Sequence, residues 1–246
     1  CALILTMLHL SIAHVDNQYI KSDTDINQWM TNYYLKQEPE KLLSALKYFC
    51  NRPSSEKTSA RLPLIAFTGT IFKNDTHLMA EIFRNITKNG SDKIRALTIE
   101  ILWYVNNQES RKLIQIARKS WQSKEVQKSI ERMPTREPTD LLAKEVYDAR
   151  HLDGLWAIFF ASGNEVCIKK IISALHLLKD GRGLEIAVGG AARWSLTSNA
   201  KRHKTIYNIC KNELKNVTEE TRQILEEIIM KVDTAQQENN SKGRKN

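Results

Sequence analysis

Side chains able to exchange a proton fall close together at two places, His151 with Asp153 and Glu185 with His203. An imidazole and a carboxylate become an acid–base pair only when held within hydrogen-bond reach, and any basic, helix-rich chain offers such pairs by chance. Neither pair sits in a catalytic frame. There is no HExxH, GxSxG, P-loop or GxGxxG run, and Gly181-Arg182-Gly183 and Gly189-Gly190 lack the preceding strand that a phosphate loop needs. No cysteine lies in a CxxC, and no His/Cys spacing suits a metal ion. The residues therefore point to a protein that is not an enzyme and carries no cofactor or metal.

Two constellations suit binding better. Asp153 and Trp156, at i and i+3, would set a half-exposed aromatic beside a carboxylate on one helix face. The run Arg193-Trp194-Ser195-Leu196-Thr197-Ser198-Asn199-Ala200-Lys201-Arg202-His203 combines an aromatic, a polar Ser198-Asn199 turn and a basic start to the next helix. Read functionally, it is an acidic-peptide or anion site at a helix N-terminus. Read structurally, Trp194 and Leu196 belong to the core and Ser198-Asn199 cap.

The element that must position these residues is a helical hairpin from His151 to Leu178. Leu152, Leu155, Trp156, Phe159 and Phe160 repeat at i, i+3, i+4, i+7 and i+8, one apolar stripe at helical period. Asp153 is expected in the first turn, Gly163 in the left-handed conformation that ends a helix, and Asn164 as the next cap. Ile168, Ile171, Ile172, Leu175 and Leu178 continue the pattern, with Lys169 and Lys170 facing water. The pair exposes too much apolar surface to stand alone.

Around it the chain reads as further helices: Asn27–Leu35, Pro39–Cys50, Ala60–Lys73, Thr76–Lys88, Ser91–Val105, Glu109–Ser120, Glu125–Met133, one starting at Thr139-Asp140, Glu185–Ser198, Lys201–Lys215 and Thr218–Val232. The breaks at Asn74 and Asn107, and those at Gly163 and Asn199, fall about 35 residues apart, the period of stacked hairpins. The fold class expected is all-α, stacked antiparallel helical hairpins in a HEAT- or TPR-like α-solenoid with no sheet, although neither repeat's diagnostic residues occur. Pro134 and Pro138 mark a boundary between N-terminal hairpins over 14–133 and C-terminal hairpins over 139–232, and the polar stretch 233–246 is expected to be disordered.

The chain has 246 residues, 41% of them hydrophobic, with 9 Gly, 5 Pro and a net charge of +9. The charge would suit an acidic partner, a nucleic acid or an anionic membrane. It is dispersed over helix faces, with small clusters at Lys201-Arg202-His203-Lys204 and in the tail, and no nucleic-acid-reading signature accompanies it. Leu3 to Ile12 has the length of a signal-peptide apolar region, and Ser11-Ile12-Ala13 reads as a cleavage site. The expectation is a remnant signal peptide over 1–13 cut after Ala13, and a periplasmic or secreted product. Lipid attachment at Cys1 is a second route to export, disfavoured because an apolar run follows rather than a polar tether. Cys50, Cys167 and Cys210 would then remain, an odd number, as ordinary buried thiols.

Leu152, Asp153, Leu155, Trp156, Phe159, Phe160, Ser162 and Gly163 form an L-D-x-L-W-x-x-F-F-x-S-G run. Trp194, Ser195, Leu196, Ser198, Asn199, Ala200 and His203 form W-S-L-x-S-N-A-x-x-H. Over roughly residues 150–212 the chain thereby resembles an uncharacterised family of exported helical-repeat proteins of Gram-negative bacteria. The resemblance implies an envelope location and no known activity. Together these readings predict a binding or scaffold protein with a protein partner in the envelope, one accessory to a secretion machine being consistent with it. The rival is a cytoplasmic helical protein that binds nucleic acid.

Overall fold

Where one helix stops and the next begins is decided here by a few small polar side chains that satisfy the free backbone groups of helix ends. The computed structural model describes residues 19–56, 58–133 and 137–243, and every regular element among them is helical. After α1 (Asp23–Asn32) and α2 (Leu42–Cys50), α3 (Thr58–Asn74) and α4 (Thr76–Asn89) meet at Asp75, whose carboxylate accepts the Leu78 N–H at 2.9 Å. Between α5 (Asp92–Val105) and α6 (Gln108–Ser120), Asn106 takes the left-handed conformation and Asn107 forms a reciprocal capping box with Ser110. Gly163 is left-handed at φ 71° after α8 (Ala149–Ser162), and Asn164 caps α9 (Glu165–Ser173) through the Val166 N–H. These joints fall where the sequence places them.

Several boundaries differ. α1 starts at Asp23, earlier than Asn27, because the Ser22 hydroxyl caps it. α8 starts at Ala149 under an Asp148 cap, which moves Asp153 out of the first turn. The helix expected from Thr139-Asp140 is instead a turn near Leu141–Lys144. There the Asp140 carboxylate accepts the Leu142 N–H at 2.9 Å, and the Leu141 carbonyl accepts from the buried His151 ring, whose Nε2 lies 2.8 Å away. The segment is thus held as a turn by its own Asp140 side chain and by a tertiary bond to α8. Asn199 does not break a helix either. α11 runs unbroken from Leu184 to Arg202, and the chain turns at His203 before α12 (Lys204–Glu213). The last helix, α13, spans Glu219–Gly243 and continues well past Val232.

The core is one continuous cluster from Ile20 to Val232. α8 is at its centre, with Leu155 and Phe159 fully buried, but α3 packs along it more extensively than its hairpin partner α9 does. Ala66 and Phe67 of α3 are fully buried, as are Ile99, Ile101 and Leu102 of α5, which lies against α3. α7 (Lys124–Glu131) leans on α5 through Val126 and Ile130. On the other side α11, α12 and α13 pack onto one another and onto α9, and α10 (Leu177–Asp180) packs on α11. The architecture is all-α and solenoid-like. The expected boundary falls between α7 and α8, which share this core, and Pro134 lies outside the described residues. No described helix is long and apolar enough to cross a membrane. The apolar run, the cleavage expected after Ala13, and Cys1 lie outside the described residues.

Candidate functional site

Neither acid–base pair is assembled. His151 is buried against the Leu141 carbonyl, whereas Asp153, two residues on, faces solvent. The Glu185 carboxylate accepts the Arg182 N–H at 2.9 Å at the start of α11, and His203 lies just beyond its other end. At 1.5 Å per residue these groups are separated by about 27 Å. Among the described residues no group of His, Cys, Asp and Glu is placed to hold a metal ion.

Three of the expected contact residues go inward or are exposed alone. Trp156 is buried, not half exposed, and stacks on Phe160 with ring centres 5.6 Å apart. Phe160 in turn lies 5.6 Å from the His203 ring, and Tyr34, just after α1, touches both Phe159 and His203. The Tyr34 hydroxyl is 3.2 Å from His203 Nδ1. Burial, with the nearby Arg202 charge, holds the His203 imidazole below its ordinary value, so the ring favours its neutral form. His203 is therefore a buried joint between α1, α8 and the α11–α12 corner, not part of an anion site at a helix start. Asp153 remains on the surface with no aromatic presented beside it.

Arg193, Trp194, Ser198 and Asn199 stay together on α11, but without a turn. Val188, Ala192, Leu196 and Ala200 form its buried stripe at steps of four. Trp194 precedes Leu196 by two residues, about 200° around the helix, and points away from the core at 73% exposure. The expectation that Trp194 belongs to the core with Leu196 is thus corrected by helical phase. Ala187, Trp194, Ser198 and Lys201 share that outer side, and Leu184 and Ile186 are exposed toward its start. Gly190 adds no side chain, and a Cβ there would meet nothing within 4 Å. Ser198 receives the Arg202 guanidinium at Oγ (2.6 Å), an i,i+4 bond within the helix rather than a cap. Arg193 is held by Glu227 of α13. Exposed Met230, also on α13, joins Lys201, Lys231, Thr234, Ala235 and Glu238 around a shallow groove of about 330 Å³.

A second feature was not signalled by any motif. A cleft of about 720 Å³ opens among α3, α5 and α7, roofed by the end of α2. Helical phase directs one face of each wall into it: Arg61, Leu62 and Ile65 from α3, Lys93, Leu97, Glu100 and Tyr104 from α5, and Glu125, Lys128 and Ser129 from α7, with Arg132 at its C-cap. The Arg61 guanidinium donates to Glu100 at 2.6 Å, while its buried Nε–H has no partner in the protein. Burial pushes the Glu100 carboxyl above its ordinary value, and the Arg61 charge pulls the other way. Burial also lifts the Cys50 thiol at the edge to about 11 and the Tyr104 hydroxyl to about 12. The sequence signal was present in α5, where Lys93 and Glu100 fall in phase with Leu97 and Tyr104. It was hidden because the other walls come from distant segments.

Comparison of the chain with protein-family models, with curated proteins and with solved structures finds no match.

Proposed function

We propose that this chain is a non-catalytic helical scaffold of the HEAT or TPR kind that binds a protein partner through the outer face of α11. The observation that carries the reading is Trp194, exposed at 73% on a face with Leu184, Ala187 and an uncovered Gly190. Tryptophan is the residue most concentrated at the energetic centre of protein interfaces, and folding alone gives no reason to keep one in water. Lys201, Arg202 and Lys231 rim the C-terminal end of this face. The partner is accordingly a helix with an apolar stripe flanked by carboxylates. The apolar leader over Leu3–Ile12 and the likeness to exported helical-repeat proteins support an envelope location for that encounter.

The test is a photo-crosslinking residue in place of Trp194 in cells expressing the full gene, with the same residue at exposed Tyr147 as control. A discrete adduct at 194 alone, recovered from the envelope fraction and indifferent to nuclease, is expected. No adduct, or equal adducts at both positions, overturns the docking face. A nuclease-sensitive adduct moves the reading to nucleic acid.

A further inference from the structure

We infer that the cleft among α3, α5 and α7 is a binding site for a small amphipathic anion, an apolar chain bearing one anionic headgroup. Its volume, about 720 Å³, lies within the 300–1,000 Å³ typical of small-molecule sites. The lining divides by chemistry. Phe49, Leu62, Ile65, Leu97, Trp103 and Met133 supply apolar surface that a hydrocarbon tail would remove from water. The polar lining carries four cations, Arg61, Lys93, Lys128 and Arg132, against two carboxylates, Glu100 and Glu125. The cleft is therefore net positive, and it repels a cationic guest as it attracts an anionic one.

Arg61 fixes where the headgroup goes. Its Nη2 is committed to Glu100, and the buried Nε–H that remains is a donor with no acceptor in the protein. A buried donor left unpaired is costly, and an oxygen of the headgroup gives it the acceptor it lacks. Lys128 on α7 and Arg132 at its C-cap, one turn apart and exposed, flank the entrance as charges that need no protein partner to be stable. Tail and headgroup are thus met by different side chains of one cleft, apolar ones for the chain and Arg61, Lys128 and Arg132 for the charge, which is what selects an amphiphile over a purely polar or purely apolar molecule.

The experiment is a titration of the purified full chain with dodecanoate and dodecyl phosphate, read by displacement of 1-anilinonaphthalene-8-sulfonate. Dodecyltrimethylammonium serves as the cationic counterpart, and Trp194→Ala as background so that the α11 face does not contribute. Saturable binding of an anionic probe at one per chain is expected, with the cation at least tenfold weaker. The double variant Lys128→Glu/Arg132→Glu, which changes exposed side chains only, should weaken the anion at least tenfold with an unchanged melting curve. Trp103 provides an internal reporter: its emission should change on binding, and Trp103→Phe should remove that change. Equal binding of anion and cation, indifference to the charge reversal, or absence of saturable binding each overturns the assignment.

Discussion

His203 shows how a single side chain can be held by the fold in one protonation state. Buried beside Phe160 and Tyr34, and near the Arg202 charge, its imidazole is depressed below the ordinary value of 6.5. The unfolded chain then binds a proton at a higher pH than the folded one, so stability is full above about pH 6.5 and falls as pH drops through the folded value. Denaturation midpoints measured from pH 7.5 to 5 should decline, and His203→Gln should flatten that decline. A midpoint equally steep in the variant would place the sensitivity elsewhere. Two adjacent glycines make a second residue-scale contrast. A Cβ on Gly189 would sit 2.7 Å from the Leu178 backbone nitrogen, whereas one on Gly190 would meet nothing. Gly190→Ala should stabilise by about 0.5–1 kcal/mol through helix propensity, and Gly189→Ala should destabilise by about 1–3 kcal/mol through overpacking. Urea midpoints of the two variants moving in the same direction would contradict this account.

At the scale of elements, the turn before α8 depends on one bond between His151 and the Leu141 carbonyl. His151→Ala removes a buried ring and leaves that carbonyl without its donor, a loss of about 2–4 kcal/mol. Hydrogen exchange should then rise first across residues 140–150 rather than in α11 or α13. Uniform loss of protection would mean the turn is not the local dependency. The same turn explains what could be read from the sequence and what could not. The joints at Asp75, Asn106-Asn107 and Gly163-Asn164 were legible because the capping chemistry lies within three residues of the break. The 139–147 segment and the corner at His203 were not, because a distant ring or hydroxyl decides them. The continuation of α13 past Val232 is of the same kind: Tyr207 of α12 donates its hydroxyl to Asp233 at 2.6 Å. Site residues followed the same division. Trp194, read structurally as core with Leu196, is turned outward by a two-residue step in helical phase, and the cleft required α3, α5 and α7 to be brought together first.

For the molecule as a whole, the two tryptophans expected to share a role divide what folding needs from what it leaves free. Trp156 is stacked on Phe160 and edge-on to Phe159 inside the single core, while Trp194 projects from α11. Replacing a buried tryptophan by alanine costs about 3–5 kcal/mol, a large share of the roughly 5–15 kcal/mol available to a folded protein. Replacing an exposed one changes stability by about 0.5 kcal/mol or less. Guanidinium unfolding should therefore show Trp156→Ala far less stable than the parent and Trp194→Ala unchanged. Native emission should shift to shorter wavelength only in Trp194→Ala, because the solvated fluorophore is the one removed. The buried thiols give an independent reading of the same cooperativity. Cys167 and Cys210 are each lifted to about 12 by burial, so a disulfide reagent reaches them only when the core opens. Their labelling should accelerate in Trp156→Ala and stay at the parent rate in Trp194→Ala. If Trp194→Ala instead loses stability and exposes the thiols, its face contributes to the fold, and α11 would lose its claim as a docking surface.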